Sequence, residues 1–100
     1  ESIKYFREAA RINPSSFKVL NNLGVLLERK QRYDEAIHYY QKAQQIEPEN
    51  AGLYFNLGIA FGNKGDLEKA IEHFRRAVEL KPDYQDARRA LKMALEMQKN

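Results

Sequence analysis

Few side chains in this sequence have the type and spacing to do chemistry. His38 and His73 could bind a metal or move a proton. Neither is followed four residues on by a second His, Asp or Glu, the spacing that sets two zinc ligands on one helical face. Both read as lying on the polar side of their helices. The run Gly62-Asn63-Lys64-Gly65 has the glycine and lysine of a phosphate-cradling loop. It lacks the Ser or Thr after the lysine and the upstream glycine at the required spacing, so it reads as a turn between helices. Asp34-Glu35 and the pair Asp66 and Glu68 could supply an acid and a base, but they fall in the first turns of expected helices, where the macrodipole favours negative charge. A glycosidase pair would also need an enclosed site. With zero cysteines, thiolate metal sites, cysteine nucleophiles and disulfides are absent. No catalytic residue, metal site or cofactor is expected, and the chain reads as noncatalytic.

The elements that carry these residues repeat. Pro14, Pro48 and Pro82 are separated by 34 residues each time. Aligning residues 17–50 with 51–84 superimposes Asn22-Leu23-Gly24 on Asn56-Leu57-Gly58, Lys30 on Lys64, Ala36-Ile37 on Ala70-Ile71, and Ala43 on Ala77. Residues 1–16 fit the second half of the same unit, with Phe6 over Tyr40, Ala9 over Ala43 and Ile12 over Ile46. Residues 85–100 repeat only the first-helix pattern and depart from it at Arg88 and Lys92, where the full units have an apolar residue and Gly. The expected organisation is therefore a second helix in 1–16, full repeats in 17–50 and 51–84, and a C-terminal capping helix in 85–100. Because the chain starts with Glu1 and inside a repeat, it is expected to belong to a longer array.

Leu20-x2-Leu23-Gly24-x2-Leu27, then Ala36-x3-Tyr40, Ala43 and Pro48, resemble the signature of the tetratricopeptide repeat (TPR) family. Tyr54-x2-Leu57-Gly58-x2-Phe61, then Ala70-x3-Phe74, Ala77 and Pro82, give it a second time at the family's period. The resemblance implies an all-α fold, an α-solenoid of antiparallel helix pairs stacked into a right-handed superhelix. Gln31 departs from the pattern, since the family prefers the Gly found at Gly65. A positive φ there costs a non-glycine residue about 1–2 kcal/mol, so a weaker turn is expected.

Helical geometry gives the same packing. At about 100° per residue, Leu20, Leu23, Gly24 and Leu27 share one arc, as do Tyr54, Leu57, Gly58 and Phe61. Ala36, Ile37, Tyr40, Ala43 and Ile46 form the face that meets the first arc. Glycine inside a helix costs about 1 kcal/mol relative to Ala, which assigns Gly24 and Gly58 to places where a neighbour comes too near for a methyl group. Ser15-Ser16, Asn50, Asp66 and Asp83 are expected to cap the helices that follow them.

The arc opposite the buried one is the candidate binding face, and the resemblance implies that it lines the concave side of the superhelix, where such proteins hold extended peptides. Its candidate residues are Lys18, Asn21, Asn22, Val25 and Arg29 in the first full repeat. Phe55, Asn56, Ile59 and Asn63 follow in the second, and Arg89 and Met93 in the last helix. Val25, Phe55, Ile59, Met93 and Met97 form an apolar stripe that a solvated face would not need; the alternative is that Met93 and Met97 pack the terminal helix. Asn22 and Asn56 hold the same repeat position, and a side-chain amide can both donate to and accept from a peptide backbone. This is similar to the asparagine ladder of O-GlcNAc transferases. The carboxylate clamp of chaperone-binding repeats does not match: its positions carry Asn21, Val25, Asn56, Asp86 and Ala90, so binding of an Hsp70 or Hsp90 C-terminal carboxylate is not expected.

The formal charge of +3 is an end effect. Residues 17–84 carry ten basic and ten acidic side chains, and the surplus sits at Lys4, Arg7 and Arg11 and at Arg88, Arg89, Lys92 and Lys99. No contiguous basic stripe points to nucleic acid, and no apolar run reaches the roughly 18 residues of a membrane span. The start shows no basic region followed by an apolar core. The compartment is not fixed by these residues, the cytoplasm being favoured. The expected function is a protein- or peptide-binding scaffold. The alternatives are a module that self-associates through open helix ends, where Ile3, Phe6, Ala10 or Ile12 would be partly uncovered, and a substrate-recruiting region of a larger enzyme such as a glycosyltransferase.

Overall fold

The computed structural model describes residues 2–100, and the fold is all-α, made of helix pairs. The chain divides into two compact units, Glu1–Pro48 and Glu49–Asn100. Unit 1 holds α1 (Ser2–Ile12), α2 (Phe17–Arg29) and α3 (Tyr33–Ile46); unit 2 holds α4 (Ala51–Lys64), α5 (Leu67–Leu80) and α6 (Gln85–Lys99).

In unit 1, Ser16 opens α2 by accepting a hydrogen bond from the Val19 amide at 3.3 Å. Leu20, Leu23, Gly24 and Leu27 are then buried, against Ala36, Ile37, Tyr40 and Ala43 of α3. A Cβ on Gly24 would lie 2.5 Å from the Tyr40 ring, so the glycine is a notch that receives an aromatic ring. Fully burying an apolar side chain of this size stabilises by about 1.5–3 kcal/mol, which outweighs the helix penalty of the glycine. Ile46, expected on the same face, is 38% exposed; it is the last residue of α3. On α1, Ile12 is 68% exposed, as expected for at least one of Ile3, Phe6, Ala10 or Ile12; Tyr5 is equally exposed and Ala10 is buried. Ala10 is covered because α1 packs on α2.

Unit 2 repeats the plan. The Asn50 side chain caps α4 through the Leu53 amide at 3.0 Å, and Asp66 caps α5 through the Lys69 amide at 3.1 Å. Gly58 is the matching notch, with its missing Cβ 2.5 Å from the Phe74 ring. Asp83 does not cap α6. The residue at that position is Tyr84, which makes no side-chain cap and lays its ring 5.3 Å from that of Phe55. Packing there replaces hydrogen bonding. α6 itself buries only Ala87 and Ala94.

Candidate functional site

In unit 1 the candidate residues all lie on α2, on the side away from α3. Lys18 and Arg29 are exposed, and Asn21, Asn22 and Val25 are half-buried. Positions three and four apart on a helix are neighbours, so the five form one strip. Asn21 on this strip, and Asn56 on the corresponding strip of unit 2, each already interact with another group of the chain.

In unit 2 the strip on α4 is more apolar. Phe55, Asn56 and Ile59 are half-buried and Asn63 is exposed. Phe55 is partly a packing residue: its ring lies 5.9 Å from Phe74 of α5 and 5.3 Å from Tyr84. Lys81 places its ammonium 5.2 Å from the Tyr84 ring centre, which completes an aromatic and cationic corner. Sequence reasoning missed Tyr84 and Lys81. The available signal was alignment, because Tyr84 stands where Ser16 and Asn50 cap their helices, and an aromatic side chain cannot do that work. On α6, Arg89 is exposed and bound to Asp86 at 2.5 Å. Met93 and Met97 are 63% and 60% exposed, so they do not pack the terminal helix.

The groups first considered for chemistry have other occupations. His38 is exposed, but His73 is half-buried: its Nδ1 lies 2.8 Å from the Lys69 carbonyl oxygen, and its ring sits 5.0 Å from Phe61 and 6.1 Å from Tyr54. The expectation that both lie on a polar side therefore fails for His73. Glu35 takes one bond from Arg7 at 2.9 Å and one from Arg32 at 2.6 Å, and these two guanidinium partners hold its carboxyl below the usual range. Tyr40 donates to Glu28 Oε1 at 2.9 Å; burial, followed by the Glu28 charge, raises the pKa of its phenol. Among the described residues, no group of three or more His, Asp or Glu side chains is placed to hold a metal ion. No helix among them is long and apolar enough to cross a membrane.

The tetratricopeptide repeat sequence profile matches residues 15–83, which takes in both glycine notches and their aromatic rings. The chain belongs to the tetratricopeptide repeat family. Solved TPR structures share the fold. One is YrrB, described as a TPR protein with an unusual peptide-binding site, at 26% identity and TM-score 0.87 over 90% of this chain and 46% of that one. MamA MSR-1 C2 aligns at 28% identity and TM-score 0.83, over 96% of this chain and 55% of that one. A further MamA structure, at 23% identity, has TM-score 0.92 over 96% of this chain and 56% of that one, which bears on the fold alone. This TPR chain thus spans about half the length of these proteins. No match was found among curated proteins.

Proposed function

We propose that this TPR chain is a noncatalytic protein-interaction scaffold whose units each offer a first-helix strip to an extended peptide. The observation that carries the reading is the apolar surface left on those strips. Val25 on α2, and Phe55 and Ile59 on α4, stay half-buried beside Asn22 and Asn56, and Met93 is exposed on α6. Half-buried apolar side chains next to amides can cover a peptide's side chains while hydrogen-bonding its backbone. The peptide-binding site attributed to YrrB supports the same class of partner. Lys18, Asn21, Arg29, Asn63 and Arg89 would form the polar edges of the strips. The organisation proposed is a second helix in 1–16, repeats in 17–50 and 51–84, and a terminal helix in 85–100.

The test is capture of binding peptides from a random-sequence display library, followed by affinity measurement. Replacing both Asn22 and Asn56 with Ala should weaken the selected peptides about tenfold or more, since each lost amide leaves a backbone group unpaired. Unchanged affinity would remove the asparagines from the site. A second reading, self-association, rests on Tyr5 and Ile12, both largely exposed on α1. Light scattering over a concentration series tests it, and a constant monomer mass overturns it.

A further inference from the structure

Among the described residues, one face of α6 lacks the cover that α4 has. In the repeat register, Arg88, Leu91, Lys92 and Leu95 stand where α4 has Tyr54, Leu57, Gly58 and Phe61. The four α4 residues are buried, with the Phe74 ring in the Gly58 notch. On α6 the corresponding surface is an open groove of about 610 Å³, floored by Leu91 and Leu95 together with Val78 of α5.

Two features say what the groove takes. The first is steric. A helix of this chain's own repeat type inserts a ring where Gly24 or Gly58 has no Cβ, and Lys92 fills that notch with a full side chain. The second is charge. Arg88, Lys92 and Lys99 line the groove against a single acid, Glu96. Arg89 is already paired with Asp86. Arg88 donates to the Pro82 carbonyl at 3.1 Å, a neutral acceptor that leaves its charge uncompensated. A second copy of the chain is a poor occupant, because α1, with Tyr5 and Ile12 exposed, has its acid Glu8 paired with its own Arg11 and brings Lys4 to an already basic rim.

We propose that this groove docks an acidic amphipathic segment of a partner protein. The partner's apolar side chains lie on Val78, Leu91 and Leu95, and its carboxylates face Arg88, Lys92 and Lys99. The site shares Arg89 with the α6 strip and no residue with the strips on α2 and α4.

The experiment is fluorescence anisotropy on the whole chain. Its probe is a labelled synthetic helix-forming peptide with Leu three and four residues apart and Glu on the flanking positions. Comparison peptides replace every Glu with Lys or scramble the Leu spacing at constant composition. Saturable binding of the acidic peptide is expected, weakened about tenfold by Lys92→Glu with Lys99→Glu and weakened by salt above about 0.15 M. Both lysines are exposed, and far-ultraviolet circular dichroism confirms that the variant is folded. The variant Asn22→Ala with Asn56→Ala should bind as well as the parent. The proposal is overturned by absence of binding, by equal affinity for the Lys-substituted or scrambled peptide, or by an unaffected charge variant. Loss of binding in the asparagine variant, or tighter binding of a DNA oligonucleotide of equal charge, also overturns it.

Discussion

Unit 1 and unit 2 build the same helix pair with different local chemistry. In both, a glycine notch on the first helix receives an aromatic ring from the second. Unit 1 uses Tyr40 and gives its hydroxyl an acceptor in Glu28; unit 2 uses Phe74, and the residue matching Glu28 is Gly62, so hydroxyl and carboxylate are absent together. The turns differ as well. Gly65 has φ 103° and Asp66 then caps α5, whereas Gln31 holds φ 63° and Arg32 makes no side-chain cap. Unit 1 instead ties α3 down through Glu35, shared by Arg7 of α1 and Arg32. The steric notch is common to both units, and the polar devices around it are interchangeable.

The largest effect is expected from filling the notch. Gly24→Ala or Gly58→Ala should each destabilise by about 1–3 kcal/mol in denaturant unfolding, despite the better helix propensity of Ala, because the ring must move. Gly58→Ala should recover part of the loss when combined with Phe74→Leu; no recovery would mean that the ring is not the obstacle. Exchanging the turn residues comes next. Gly65→Gln should cost about 1 kcal/mol, and Gln31→Gly should gain somewhat less, since glycine also loses more chain entropy on folding. Equal and opposite shifts in midpoint would show that the turns are equivalent, and a null result at Gln31 would show that its positive φ carries no strain.

Tyr40→Phe makes unit 1 resemble unit 2 and should cost about 1 kcal/mol, less when Glu28→Gly accompanies it. A double-mutant cycle measures that coupling. The smallest effect concerns Glu35, which is exposed to solvent screening. Its folded pKa lies below the unfolded value, so its contribution is present above the unfolded pKa and disappears as pH falls through the folded one. Glu35→Gln should flatten the acid limb of the stability profile, and an unchanged limb would assign acid sensitivity elsewhere.

Much of the fold was legible because its determinants are periodic. The proline interval, the paired glycines and the caps Ser16, Asn50 and Asp66 are local signals with a physical reason at each position. Three readings failed where the reason was not local. His73 aligns with Tyr39 and not with His38, so its place is an aromatic one in the repeat register, and reading the two histidines as a pair concealed it. Ile46, the last residue of α3, is partly exposed, and Tyr84 packs where a cap was expected. The strips were legible as helical faces, but the division of Phe55 between packing and exposure depended on Tyr84.

The contrast at the notch also bears on assembly of the chain from near-identical parts. α3 and α5 share a pattern, and during folding either could dock on the wrong first helix. Tyr40 placed over Gly58 would bring its hydroxyl beside Gly62 with no acceptor, and Phe74 placed over Gly24 would leave Glu28 without its phenol. A buried hydroxyl left unpaired costs about 1–3 kcal/mol, so the first mismatch, with Tyr40 wholly buried, is disfavoured. The single oxygen by which the two rings differ thus gives Tyr40 a reason to prefer α2, where Glu28 accepts its hydrogen bond, over α4.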